Sequence, residues 1–468
     1  MKRRIHVFWG FLLLILSISI MAPHFTAINA LAIETSYGSF DIRSTTKFKY
    51  QSADNPTDKM LADDDNDLDI SELLGIDADF KKMGFTLSFL GKYARDLDGT
   101  PEGSVFQDYL DGTSDNDHRL DIYYAYIEKK DIVNNVDLRL GRQYVYAGSE
   151  TAHFDGLWLK ANSLFKDRIS LEAYAGAVVQ MYSDLDQDGV GGLNLELRPS
   201  KYLTAYLNTL FYEQNYFDAS IYYRPNEHIK TSAKTSFIDE NARDLGADII
   251  TTIPKTHTEV LLSVYRHFDV DEQDDFLYDY TFSIEDTLKE DIRRLYLGRE
   301  LGYTEATLSI TQPIPTQEGL SVFARYTNRQ LSDNSDEDLY NTDFDRWTLG
   351  FTMDDWWVFH GTHLSLGYSY WDESRDLIYE ANSLSYFGDI TQKITGKFSI
   401  GAGFYYKEED INSLIEGEAA KHYYGSLKYK LDKKKWAELK YEYEEDDYYK
   451  EYGIDSLNAI TATIYCNF

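Results

Sequence analysis

From residue 40 onward, apolar and polar side chains alternate with period two. In "FDIRSTTKFKY" (40–50), Phe40, Ile42, Phe48 and Tyr50 fall on one side of an extended strand, and Asp41, Arg43, Lys47 and Lys49 on the other. The alternation returns in "FTLSFLGKY", "NVDLRLGRQ", "DASIYYR", "HIKTSAKTSF", "GLSVFARYTNR", "GSLKYKL" and "WAELKYEYE". A helix repeats every 3.6 residues, so this spacing predicts strands with one apolar and one polar face.

The breaks between these segments alternate in kind. One set is short: "KKMG", "KKDIVNN", "FKDR", "RPSK", "RPNEH", "IPKT", "PIPTQEG" and "LDKKK". The other is longer and acidic, with "ADDDNDLD" (62–69), "SDLDQDG" (183–189), "DVDEQDD" (269–275), "SDNSDED" (332–338) and "YEEDDYY" (443–449). Pro199, Pro225, Pro254, Pro313 and Pro315 fall in short breaks, and Pro56 and Pro101 in the first two long ones. None is expected inside a strand, because proline cannot donate to the ladder.

Tight turns at one end and long loops at the other predict an all-β fold, a transmembrane antiparallel β-barrel with periplasmic turns and extracellular loops. The segments add up to about 22 strands (range about 18–24) if residues 268–298 form one outer loop. The stretch "DDFLYDYTFSIEDTLKEDIRRLYLG" could add a hairpin. A soluble all-β repeat protein is the alternative.

Composition sharpens this picture. The chain holds 39 tyrosines, 25 phenylalanines and 7 tryptophans against 8 prolines, a load suited to rings at an oil–water boundary. Mean hydropathy is −0.46. No apolar run of about 18 residues follows residue 32, so a membrane crossing would be made by strands. "MKRR", then "VFWGFLLLILSISIM", then Ala30–Leu31–Ala32 reads as a cleaved signal peptide over residues 1–32, leaving one barrel domain over 33–468. The first strand then starts within about eight residues of the cleavage site, which leaves no room for an N-terminal plug.

Removing Lys2, Arg3 and Arg4 takes the net charge from −33 to −36. Such an acidic chain is not expected to bind nucleic acid. Its single cysteine, Cys466, excludes an internal disulfide, and the absence of "CxxCH" excludes covalently attached haem.

The last strand, "NAITATIYCNF" (458–468), places Ile460, Ala462, Ile464, Cys466 and Phe468 on one face. A terminal Phe preceded by apolar residues at every second position resembles the signal read by barrel-assembly machinery. With the leader and the alternating strands, the chain resembles a Gram-negative outer-membrane porin. "LRLGRQYVYAGSETAHFDGLWLKA" (138–161) is similar to a hairpin of porin and alginate-export-type families, at Leu140–Gln143 and Phe154–Gly156. The resemblance implies residence in the outer membrane, contact with its lipid, assembly through Phe468 and passage of small solutes.

A Lys or Arg on the lipid face near the midplane costs about 2–4 kcal/mol, so mid-strand charges are expected in the lumen. That rule assigns Arg43, Lys47, Lys49, Lys92, Arg139, Lys160, Arg198, Arg224, Lys230, Lys234, Arg325, Arg329, Arg346, Lys397, Lys428, Lys430 and Lys440. It also assigns Asp77, Asp79, Asp121, Asp137, Glu172, Glu196, Asp218, Glu259, Glu305, Glu438 and Glu442. The lumen is then near charge balance or slightly basic. These residues either bias passing ions or simply pair across strands.

Asp184, Asp186 and Asp188 match the opening of a calcium loop, yet Leu195 stands where a bidentate Glu is needed, so only weak calcium binding is conceivable there. No other cofactor is expected. His153, His267, His360 and His363 have no spacing to a nucleophile that would suggest an enzyme. Cys466, on the lipid-facing side, reads as a small apolar residue.

Passive diffusion of small hydrophilic solutes or ions is the expected function, in a monomer or a homo-oligomer such as a trimer. An inward-folded outer segment such as 96–118 or 268–298 could narrow the channel. The alternative function is a scaffold sheathing a multihaem cytochrome, and a third reading is a surface adhesin or cation-collecting barrel.

Overall fold

The computed structural model describes residues 38–54, 66–98, 118–133, 135–148, 150–179, 189–212, 214–268, 302–332, 343–355, 360–374, 381–411, 418–447, 450 and 454–468. They form one sheet of 22 antiparallel strands. In chain order these begin with β1 (Ser39–Asp54), β2 (Asn66–Phe80), β3 (Phe85–Asp96), β4 (His118–Val133), β5 (Val136–Ala147), β6 (Glu150–Ser163) and β7 (Ile169–Val178). β8 (Gly189–Ser200), β9 (Leu203–Phe211), β10 (Asn215–Tyr223), β11 (Ile229–Ile238), β12 (Asn241–Ile253), β13 (Thr258–His267) and β14 (Tyr303–Pro313) follow. The last eight are β15 (Leu320–Leu331), β16 (Asp343–Asp354), β17 (Thr362–Ser374), β18 (Ala381–Lys393), β19 (Phe398–Ile411), β20 (Glu418–Lys430), β21 (Lys435–Asp446) and β22 (Ser456–Asn467).

Each strand pairs with its sequence neighbour, and β22 pairs with β1 from Arg43↔Asn467 to Asp54↔Ser456, so the sheet closes on itself. Phe468 finishes the seam: its N–H donates to the Ile42 carbonyl at 2.8 Å and its carbonyl accepts from the Ile42 N–H at 3.3 Å. Closure leaves no sheet edge unpaired, the condition for crossing hydrocarbon with strands. His267 and Tyr303 are direct partners, so β13 and β14 are neighbours in the wall. The expected leader (1–32), Asp184, Asp186 and Asp188, and most of 96–118 and of 268–298 lie outside the described residues.

Three expectations about the breaks need correction. The outer connections β5–β6, β9–β10 and β11–β12 take only two or three residues, so that end is not uniformly long-looped. Pro199 lies within β8 and Pro313 ends β14. Pro199 is tolerated because the β8–β9 register slips between Leu197 and Ser200, leaving its position out of the ladder. Two acidic runs enter strands: Asn66–Asp69 begin β2 and Tyr443–Asp446 end β21.

Parity separates the two faces of the wall. Leu140, Leu157, Leu193, Ile249, Leu262, Leu308, Leu349, Ile390 and Leu427 are exposed on the outer side. Neighbouring outer rings meet across strands, including Tyr326–Trp347 (4.2 Å), Tyr368–Tyr386 (5.4 Å), Tyr386–Tyr406 (6.4 Å) and Tyr423–Tyr443 (6.3 Å). An apolar outside with tyrosine and tryptophan rows is what acyl chains and headgroups require. The chain is a closed transmembrane barrel.

Leu262 and Ser263 are adjacent on β13 but face opposite ways, and Ser263 Oγ donates to Asp248 Oδ1 at 2.6 Å inside. Leu262→Lys should destabilise the barrel by about 2–4 kcal/mol, whereas Ser263→Lys, facing Asp248, should cost far less; urea unfolding in lipid vesicles compares them.

Candidate functional site: the lumen and an inward hairpin

The wall opposite the exposed leucines is the lumen. Register puts Arg43, Lys47 and Lys49 of β1 and Asp77 of β2 on that face, with Lys92, Asp121, Asp137 and Arg139 of β3 to β5. Lys160, Glu172, Lys230, Lys234, Arg325, Arg329, Lys428 and Lys430 share it. Arg224 and Lys397 do not line strands, because both sit in turns between them.

Many of the inner charges are paired. Arg139 Nη2 lies 2.8 Å from Glu128 Oε2, with its guanidinium between the Tyr126 and Trp158 rings, 4.4 Å from each centroid. Lys160–Glu172 (3.5 Å), Arg329–Glu305 (3.2 Å), Lys428–Glu438 (3.2 Å) and Arg43–Asp77 are further pairs. Asp137 accepts from Asn162 Nδ2 at 2.6 Å, and Asp121 pairs with Arg119 at 2.9 Å.

A different set has no opposing charge beside it. Lys230, Arg325 and Lys430 are exposed and make no ion pair among the described residues. Arg325 faces Ser309 and Thr348 across the ladder. Among the described residues Arg346 donates to Ser369 Oγ (3.2 Å), and it lies over the Trp371 ring at 4.8 Å. The wall around β14 to β17 therefore carries hydroxyls and guanidinium charge, and among the described residues no carboxylate is set against Arg325 or Arg346. Near the outer end, Asp67, Asp69 and Asp96 bring carboxylate oxygens within 4.8 Å of one another. Beyond the barrel end, Asp447 and Glu445 hold the Lys450 ammonium above its ordinary range by accepting its hydrogen bonds.

The feature that sequence reasoning missed is a hairpin folded into the lumen. β4 and β5 pair only as far as Ala125↔Arg142 at their outer part, whereas β5 and β6 remain paired to Ala147↔Glu150. The upper β5–β6 hairpin therefore leaves β4 and leans across the inner wall. Asn194 Nδ2 of β8 donates to the Tyr146 carbonyl at 2.9 Å. Gly148, at φ 71°, turns the tip where a Cβ would strike the Asp218 carboxylate of β10. Val145, Ala147, Ala152 and Phe154 pack with Tyr174, Val178, Val190, Leu210, Tyr216 and Ile238 from inner faces of β7 to β11. A buried apolar cluster thus stands inside an otherwise polar lumen.

The motif at 138–161 supplies the means. Gly141 has φ 127°, a conformation side chains disfavour, at the rung where the hairpin departs. Gln143, fully buried, donates to the carbonyls of Gly141 (3.3 Å) and Gly156 (3.0 Å). Arg142 grips Asp155 with two hydrogen bonds of 3.0 and 2.9 Å and reaches the Ile122 carbonyl at 3.4 Å. His153 is stacked on Tyr144 and bonds the Tyr123 carbonyl through Nε2 at 2.8 Å. Side chains thereby replace ladder partners that β4 loses. Tyr123 is the extra residue of a bulge in β4, which turns its carbonyl out of the regular pattern.

A second bulge anchors the tip. Ser236 pairs with Asp244 and Phe237 with Ala242, leaving Arg243 as the extra residue. Arg243 is directed inward and forms a buried ion pair with Glu150, their side chains only 10% and 5% exposed. Asp244 beside it accepts from Ser236 Oγ (2.8 Å), Tyr265 and His267. A period-two pattern carries no sign of such a bulge, though Glu150 and Arg243 are charges at strand ends where none is needed for solubility.

The inward-charge rule also meets exceptions. Glu72 lies on the outer face of β2, accepting hydrogen bonds from Ser44 and Thr46 of β1. Arg142 and Asp155 share the outer parity with Leu140 and Leu157. Cys466 is buried on the outer face of β22, opposite Ser44 and Lys435.

An apolar outside around a polar, charged inside is the arrangement of outer-membrane porins. No protein-family model and no curated protein matches the chain. A BenF-like porin from Pseudomonas fluorescens Pf-5 aligns over 92% of this chain and 99% of its own at 9% identity, with a TM-score of 0.46. The outer-membrane protein OpdK of Pseudomonas aeruginosa aligns over 92% and 99% at 9% identity (TM-score 0.45). OccK5 (OpdH) of the same organism aligns over 92% and 98% at 10% (TM-score 0.45).

Removing one partner of a buried ion pair costs about 3–5 kcal/mol because the other charge is stranded. Arg243→Met should therefore release the hairpin, raising open-channel current and noise and exposing the Gly148 turn to protease. Glu150→Leu combined with Arg243→Met should recover most of the lost stability; single-channel recording and limited proteolysis read both effects.

Proposed function

We propose that this protein is an outer-membrane channel through which small hydrophilic solutes and ions diffuse passively. The observation that carries the reading is the division of the inner wall. One sector, from β7 to β11, is covered by the inward hairpin and its apolar cluster. The remaining sector presents exposed Lys47, Arg325 and Arg346 among serine and threonine hydroxyls. A hydrated solute would follow the bare sector, where hydroxyls replace part of its hydration shell and fixed cations draw anions. The hairpin also occupies space that a sheathed cytochrome would need, which favours solute passage over a scaffold role. The pairing of Phe468 with Ile42 in the seam supports reading the last strand as the segment an assembly factor would meet before closure.

Purified protein in planar bilayers should give discrete conductance steps, and insertion without conductance would overturn the reading. Replacing Arg325 and Arg346 together by serine should move the reversal potential in a salt gradient toward cation preference, because two fixed positive charges leave the solute path.

A further inference from the structure

The open sector of the inner wall is not polar throughout. One rung of the ladder runs Phe323, Gly350, Gly367, Phe387 and Tyr405 across β15 to β19. These residues share the inner face, since their neighbours Leu349, Tyr386 and Phe404 are exposed on the outside. A Cβ added to Gly350 would meet the Phe323 ring at its tip, and one added to Gly367 would meet the Phe387 ring at its tip. Each ring therefore rests on the glycine of the next strand. Gly350 and Gly367 are themselves partners, with Cα atoms about 4.5–5.5 Å apart. The two rings thus lean toward each other, one from β15 and one from β18, over a paired floor of bare backbone. Both are half-buried, and Tyr405 beside them is 38% exposed. The result is an apolar platform spanning about 14 Å of a polar wall.

Covering a glycine accounts for the place of one ring, but not for two rings meeting over adjacent glycines, nor for what borders them. About 7 Å to either side along the strands lie two polar rungs. One is Arg325, Thr348, Ser369 and Ser385; the other is Ser321, Thr352, Ser365 and Asp389. Ser369 is buried and bonded to Thr348 at 3.1 Å. Arg325 is exposed, and Thr348, Ser385, Ser321, Thr352, Ser365 and Asp389 are half-buried. Arg325 supplies donors at one corner of the platform, and Asp389 supplies acceptors at the corner diagonally opposite.

This border selects the solute. A pyranose has a flat face of C–H groups, which the negative face of an aromatic ring attracts, and an edge of hydroxyls that both donate and accept. We infer that the Phe323–Phe387 platform is a stacking subsite for a pyranose sugar, whose hydroxyls bond the serine and threonine borders, Arg325 and Asp389. A planar aromatic acid would use the rings and Arg325, yet it would bring a second negative charge toward Asp389 and leave most of the hydroxyls without partners. A platform open on one side holds its ligand weakly, as passage requires. The inference rests on the reading of the protein as a solute channel and names the class of solute that its open sector favours.

The probe is maltohexaose, a neutral chain of pyranoses, added to wild-type protein carrying potassium chloride current in planar bilayers. Brief interruptions whose frequency rises with maltohexaose concentration are expected. Phe387→Ala and Gly367→Ala should each raise the apparent Kd about tenfold. The first removes a ring; the second lifts the same ring off the wall with one methyl group and leaves every hydroxyl and charge in place. Heat-modifiable mobility on gels shows whether each variant folds, and Phe387→Leu, which loses the flat face with little change in bulk, replaces Phe387→Ala if that variant does not. A conducting wild type that maltohexaose never interrupts would overturn the subsite and leave the channel reading standing. Interruptions unchanged in the variants, or interruptions by benzoate but not by maltohexaose, would overturn it equally. If the wild type inserts without conducting, the channel reading fails on its own. Calorimetric titration of the detergent-solubilised barrel with maltohexaose then decides: binding that weakens in Gly367→Ala supports the subsite, and no binding to the wild type sinks it.

Discussion

In hydrocarbon no water is available to a backbone N–H or C=O, so every one must find a partner in the protein. That requirement explains why the described strands form a single ladder in which β22 returns to β1. It explains the hairpin too. Where β5 leaves β4, the Ile122 and Tyr123 carbonyls take donors from Arg142 and His153. The departure is tolerated because side chains stand in for the missing strand.

The same accounting governs the lumen. Arg139, Lys160 and Lys428 are neutralised by carboxylates on neighbouring strands, which ties the wall together and leaves little net charge at those rungs. Arg325 and Arg346 have hydroxyl neighbours instead, so their charge projects into the open sector. Carboxylate-paired and hydroxyl-flanked cations thus are different members of one inner row. Position in the alternation does not distinguish them; the partner across the ladder does.

Much of the architecture was legible because a barrel writes itself into parity. Phe40, Ile42, Phe48 and Tyr50 faced away from Arg43, Lys47 and Lys49 before any pairing was known, and the strand total followed from the breaks. What parity cannot report is an interruption of itself. The bulges at Tyr123 and Arg243 each insert one residue, and their effects appear only when register is known across neighbouring strands. Glu72 and Arg142 escaped the inward-charge rule for a related reason: the rule prices a lone charge in lipid, whereas these have hydroxyl or carboxylate partners on the same face. The "LGRQ" and "FDG" residues were visible as a motif, but their role in steering a hairpin inward depends on contacts with β4 and β8 far away in sequence.

The seam between the first and last strands has a kinetic consequence. Ser456 Oγ meets Asp54 Oδ2 at 3.1 Å across a sequence separation of 402 residues, so the contacts that close the cylinder are among the most distant in the chain. Loop-closure entropy makes such contacts late. Until then β1 and β22 are both open edges, able to pair with any other strand they meet. The nascent sheet is therefore most vulnerable just before completion, and the interval between synthesis of β1 and docking of β22 is when a chaperone is most needed.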